Sequence, residues 1–154
     1  MDVNIINPVL QSFAEVMPQL GFSNIEKKGI SLKSKYIESS GVEVIIGLTG
    51  DIKGSIIYGI QNEGAKRVAS QMMMGMPVNE LDELAQSAIS ELINMLTANV
   101  ATIYSRENIN VDISTPTLIR GEFTTNATVE KVICVEMSVD GIIFEVNISL
   151  EKTL

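Results

Sequence analysis

Ser87-Ala88-Ile89-Ser90-Glu91-Leu92-Ile93-Asn94 lies within residues 81–104, a run free of Gly and Pro and rich in Leu, Ala, Met and Glu. That composition predicts one long helix. At 3.6 residues per turn, Ser87, Glu91 and Asn94 stand at i, i+4 and i+7 and share a face. With Ser87 at zero and about 100° per residue, Glu91 falls near 40° and Asn94 near 340°. Ala85, Ile89, Leu92, Leu96, Val100 and Ile103 gather between about 140° and 220°, a stripe suited to a core. Ala98 and Ala101 flank the polar face, and their short side chains allow another surface to come close. The polar face presents a carboxylate, which only accepts hydrogen bonds, beside a carboxamide, which donates and accepts. A carboxamide can orient water and a carboxylate can hold a cation, but neither is a good nucleophile here. A solvated helix face would carry the same three residues, so periodicity alone assigns them no work.

The rest of the chain narrows the choice. Its 154 residues, 45% of them hydrophobic, predict one domain, spanning 1–154, with a real core. A net charge of −8 argues against nucleic acid or an anionic membrane as partner. No apolar run is long enough to span a bilayer, and Asp2 with no basic region after it predicts no secretory signal. A single cysteine, Cys134, permits no intramolecular disulfide and fits a reducing cytoplasm. Histidine is absent, which removes Ser-His-Asp and Cys-His nucleophilic machinery and the commonest metal ligand. No metal site of its own is expected. Asp82 and Glu83 are better explained as acids in a first helical turn than as oxygen ligands for magnesium.

In chain order, Asn7-Pro8 predicts a helix start, with Val9, Phe13, Val16 and Leu20 on its apolar face, Pro18 weakening the last turn and Gly21 ending it. Short extended pieces are expected around 25–28 and 30–35. Residues 42–48 and 54–60 read as a hairpin turning at Thr49-Gly50-Asp51, with Gly47, Gly54 and Gly59 marking bulges or close packing. These glycines match no phosphate-binding loop. Residues 62–74 predict a helix capped by Asn62 and closed by Gly75, its cluster Met72, Met73, Met74 and Met76 directed to the core. Strands follow at 109–113, 117–119 and 128–139. In the last, Val129, Lys131, Ile133, Val135 and Met137 form the core face, and Cys134 lies opposite as an inert thiol. Asp140-Gly141 signals a type I′ hairpin into 142–150. The order helix, hairpin, helix, hairpin is consistent with a duplicated unit. Residues 11–18 overlay 87–94, placing Glu15 on Glu91 but Pro18 on Asn94. Together these elements predict an α+β fold, a largely antiparallel sheet in two layers with long helices.

Ser87-x3-Glu91-x2-Asn94 resembles the signature of the CheC/CheX/FliY chemotaxis phosphatases: Asp or Ser, three residues, Glu, two residues, Asn. Glu83-Leu84-Ala85, Glu91-Leu92-Ile93-Asn94-Met95, Gly50-Asp51-Ile52-Lys53-Gly54 and Met73-Met74-Gly75 resemble the CheX type in particular, over residues 5–150. The resemblance implies a CheC-like fold and a cytoplasmic phosphatase acting on the aspartyl phosphate of CheY. It implies catalytic residues Glu91 and Asn94 with Ser87 in support, and Mg supplied by the receiver substrate rather than a cofactor of its own. It also implies a homodimer, and a single site, since the first helix lacks the amide at Pro18. A non-catalytic receiver-binding or flagellar-switch module is the alternative. A strand-edge dimerisation domain without phosphate chemistry is a third reading.

Overall fold

The computed structural model describes residues 3–127 and 129–153. The first helix, α1 (Val3–Val16), starts a turn before the expected Asn7-Pro8 and keeps Pro8 inside it. Ile5 and Ile6 explain this, since both extend the apolar stripe of Val9, Phe13 and Val16 and are buried. Burying two such side chains contributes about 1.5–3 kcal/mol each, which offsets the roughly 3 kcal/mol cost of an interior proline. The Tyr104 hydroxyl also donates to the Ile5 carbonyl. As expected, Pro18 tightens the last turn, into a 3-10 segment (Met17–Leu20), and Gly21 ends it at φ 92°.

The strands are β1 (Ile25–Lys33), β2 (Tyr36–Glu38), β3 (Val42–Gly50), β4 (Ile52–Ile60), β5 (Val111–Ile113), β6 (Thr117–Arg120), β7 (Thr124–Asn126), β8 (Val132–Val139) and β9 (Ile142–Lys152). The main sheet runs β1-β8-β9-β4-β3-β5, with β6 also on the outer edge of β3, and its pairings are antiparallel. The two extended pieces expected at the start are one strand, β1, broken by a register shift between Lys27 and Gly29. Both predicted hairpins form, and Asp140 and Gly141 take the positive φ of 51° and 83° that a type I′ turn needs. Gly54, at φ 133°, lets β4 approach β9 so closely that a Cβ there would lie 2.0 Å from the Ser149 carbonyl oxygen.

This order relates the two halves of the chain. The hairpins β3–β4 and β8–β9 meet at the centre, where Ile57 faces Asn147. The strand after the first helix, β1, pairs with β8 of the second half, and β6 pairs with β3 of the first. Even the short strands match, β2 pairing with β7. Each half therefore completes the sheet of the other, in keeping with the duplication read from the sequence.

One face of the sheet carries the core. Val44, Ile46, Ile56, Tyr58, Val135, Val146 and Ile148 meet the helices α1, α2 (Asn62–Met72) and α3 (Glu83–Arg106). Phe13 packs edge-on to Phe144 with ring centres 5.5 Å apart. The expected two layers are present, with an addition: the β2–β7 ribbon lies on the opposite face, where Ile37 and Ala127 cover Ile57 and Val132. The ribbon covers Val132, and the expected reading of the 128–139 segment is corrected along its length. Its strand begins at Val132, Lys131 is exposed ahead of it, and Val132, Cys134 and Ser138 are as buried as Ile133, Val135 and Met137. Thr128 lies outside the described residues. Burial pushes the Cys134 thiol up in pKa, which keeps it protonated and unreactive.

Two more expectations are corrected in α2. Its N-cap is Gln61, whose carbonyl accepts from Ala65 N–H at 2.8 Å, so Asn62 is the first helical residue rather than the cap. The helix ends at Met72, and Gly75 N–H closes it onto the Ser70 carbonyl at 2.8 Å. Met74 takes φ 60° there and is 97% exposed, and Met76 is exposed too, so only Met72 packs on the core. The chain reverses after Met72 and carries Met74 and Met76 outward.

Behind the sheet, Glu43 on β3 is fully buried, and neither carboxyl oxygen has a hydrogen-bond partner. The missing Cβ of Gly59 makes its space, because a Cβ there would lie 2.3 Å from Glu43 Oε2. Burial, and then the neighbouring Glu145 carboxylate, raise Glu43 to about 7.

Candidate functional site

The helix expected at 81–104 is α3, shifted by two residues at each end. Asp82 caps it, Oδ1 accepting from Ala85 N–H at 2.9 Å, which is the charge role expected of an acid in this place. Ala85, Ile89, Leu92, Ile93, Leu96 and Val100 are fully buried toward the sheet. A polar bolt adds to this grip. The Tyr58 hydroxyl sits 3.0 Å from Thr97 Oγ1, which itself donates to the Ile93 carbonyl at 2.8 Å. With the inner stripe fixed in rotation, the opposite face must look outward.

There the structure brings together all three residues singled out in the sequence. Ser87 and Glu91 are exposed and Asn94 is half-buried, and they line one open groove of about 550 Å³. Glu91 and Asn94 are one turn apart, roughly 5–6 Å between Cβ atoms for helical i, i+3 neighbours. The other wall was not legible in the sequence. It consists of Thr115, Pro116 and Leu118, from the loop joining β5 and β6 and the start of β6, and Ser90 joins the floor. Pro116 between two short strands was the one signal of a fixed loop.

The free valences of this groove set it apart. Among the described residues, the side chains of Ser87, Ser90, Glu91 and Asn94 make no hydrogen bond within the chain. Glu15, which overlays Glu91 in the other half, is engaged on both oxygens. Asn99 Nδ2 donates to Oε2 at 2.9 Å and Arg106 Nη1 stands 3.5 Å from Oε1. The Asn99 hydrogen bond, with Arg106 beside it, holds the Glu15 carboxyl below its ordinary pKa. Pro18 stands in the 3-10 segment without an amide to offer.

A larger groove of about 700 Å³ runs past Asn62, Lys66, Asn79, Glu80 and Arg120, and both of its cationic groups are engaged within the chain. Lys66 pairs with Glu63 at 3.1 Å and Arg120 donates to the Leu81 carbonyl. Among the described residues no three His, Cys, Asp or Glu side chains gather as a metal site, and no helix is long and apolar enough to cross a membrane. Chemically, the α3 groove offers an acceptor-only carboxylate that can pair with a cation and a carboxamide that can hold water.

Residues 42–138 match the family described as chemotaxis phosphatase CheX. The chain is 41% identical over 122 residues to the CheY-P phosphatase CheX of Thermotoga maritima, covering 79% of this chain and 78% of that protein. Among solved structures, it is similar to a CheX-CheY-BeF3-Mg complex from Borrelia burgdorferi, with 31% identity, a TM-score of 0.77 and coverage of 96% of this chain and 97% of that one. A chemotaxis protein CheX from Desulfovibrio desulfuricans shares the fold, with a TM-score of 0.84 at 21% identity over 96% of this chain and 99% of that one.

Proposed function

The chain belongs to the chemotaxis phosphatase CheX family, and from that premise we propose how its groove works. The reaction is hydrolysis of the aspartyl phosphate of a CheY-type receiver. Asn94 enters the receiver's pocket and its carboxamide holds the attacking water in line with the scissile bond. Glu91 pairs with the receiver's active-site lysine and sets the register, and Ser87 supports the helix face. The observation that carries this reading is the contrast between two related acids: Glu15 is latched by Asn99 and Arg106, while Glu91 and Asn94 are left unengaged on an outward face.

The division of labour follows from the chemistry. A receiver already brings the phosphoryl group, the lysine and Mg2+, so this chain needs no cofactor of its own. What it adds is position. Orienting a water against a phosphoryl group is work that a side-chain amide performs in GTP hydrolysis, where the largest contributions are geometry and electrostatics. No covalent intermediate on this chain is required, which agrees with the absence of histidine.

We place the protein in the cytoplasm, where its receiver is, and read it as a homodimer. The edge strand β1 supports the dimer: it ends the sheet, and Leu32 on it is 81% exposed beside exposed Ile30. A hydrophobic sheet edge of this kind favours pairing with another chain. Leu32→Asp should shift the species seen by light scattering from dimer to monomer.

The deciding assay is phosphate release from CheY charged with acetyl phosphate. Adding the protein should accelerate release, and Asn94→Ala should return the rate to that of the receiver alone while the complex still forms. Full acceleration by Asn94→Ala would refute the assigned role.

A further inference from the structure

Resting on that reading, we propose that the loop between β5 and β6 is the second jaw of the receiver's seat. It grips the receiver segment that carries the active-site lysine, with Thr115 and Pro116 lining the contact. Glu91 stands on the ridge of α3, so a lysine that reaches it brings its own flanking backbone over the adjoining groove. That groove is bounded by α3 on one side and by Thr115, Pro116 and Leu118 on the other.

Three features of the loop suit it to this task. First, it is held still. Ser114 N–H donates to the Gly47 carbonyl at 2.9 Å, and Gly47 N–H donates to Ser114 Oγ at 2.8 Å, so both strands of contact tie the loop to β3. Pro116 then fixes φ in the next residue but one. A jaw that does not have to be ordered on binding loses less affinity to conformational entropy. Second, Pro116 and Leu118 are half-buried, so each leaves part of an apolar surface open to the groove, facing Ser90 and Asn94, which are half-buried with no hydrogen bond of their own. Polar groups drawn partly out of water and left without partners favour a ligand that supplies them. An extended backbone does so, with amides for Ser90 and its side chains against Pro116. Third, the charged residues lining this groove are both acids, Glu83 and Glu91, which matches a segment bearing a lysine and repels an acidic one.

The seat contributes recognition, so its loss should appear in KM and Kd and leave kcat nearly alone. Thr115 is exposed and Thr115→Arg adds bulk and positive charge at the jaw without touching the core. Binding is measured calorimetrically with a CheY receiver loaded with beryllofluoride and Mg2+, and turnover by phosphate release. Thr115→Arg should weaken binding and raise KM roughly ten-fold or more, equivalent to one decade in Kd, with kcat within about two-fold and an unchanged melting temperature. Asn79→Arg, which adds the same charge in the larger groove, should behave as the parent. If Asn94→Ala abolishes acceleration but Thr115→Arg binds as tightly as the parent, the seat is refuted and the catalytic reading stands. If Thr115→Arg and Asn79→Arg weaken binding equally, the effect is bulk charge and the seat is likewise refuted. If Asn94→Ala keeps full acceleration, the catalytic reading fails and the seat fails with it.

Discussion

Replacing Glu43 by Gln should flatten the dependence of stability on pH. Glu43 is fully buried with both carboxyl oxygens unpartnered, and burial raises it from 4.5 to about 7. The folded protein therefore holds this proton across an interval in which the unfolded chain has released it. Stability is greatest below about 4.5, declines up to about 7, and levels off above, once both states are ionised. Each pH unit between the two pKa values is worth about 1.4 kcal/mol, so the decline amounts to about 3 kcal/mol. That is a large share of the 5–15 kcal/mol typical of a domain. Other groups titrate in the opposite sense: Asp140, held low by the backbone N–H groups of Asn24 and Ser23, loses its contribution as pH falls. The useful quantity is thus the difference between parent and Glu43→Gln in urea denaturation at pH 4.5, 6 and 8. Gln cannot ionise, so the difference should move in favour of the variant by about 3 kcal/mol over that range. Parallel curves would show that Glu43 titrates normally and that its burial is being compensated.

Asp82→Ala should cost about 1 kcal/mol through loss of the α3 cap, seen as a lower urea midpoint, with turnover of the folded protein unchanged. Glu15→Ala should leave phosphate release at the parent rate, because its oxygens are committed to Asn99 and Arg106; a drop of more than a few-fold would make the first helix a working site. Asn94→Asp should abolish acceleration and weaken the complex, since a carboxylate cannot donate and would face an anionic phosphoryl group; retained turnover would show that the amide is not the operative group.

The features legible in the sequence were those written in local periodicity and turn chemistry. The inner stripe of α3 is spaced by the helix itself, and Asp140-Gly141 announces its turn because few residue pairs tolerate two positive φ values. What escaped was decided at a distance. The start of α1 is set by what Ile5 and Ile6 find to pack against, and local rules favoured Asn7-Pro8. Met74 and Met76 are outside because the chain reverses at Met74 and Gly75, a matter of direction that composition does not encode. Val132 gains cover from a ribbon whose strands are three residues each, too short to stand out in a pattern. The second wall of the groove joins Asn94 to residues more than twenty positions later, which only the sheet brings near.

The exchange of strands between the halves bears directly on α3. The chain reaches this helix from the first hairpin through α2 and leaves it for β5 and β6, which pair with the outer strand of that same hairpin, while β9 pairs with its inner strand at the centre. The rod is held beyond its far end by β5 on β3, and near its start by Arg120 of β6, which donates to the Leu81 carbonyl, so both fixings trace to one strand of the sheet. Displacing either end therefore disturbs a strand on the outer edge of β3.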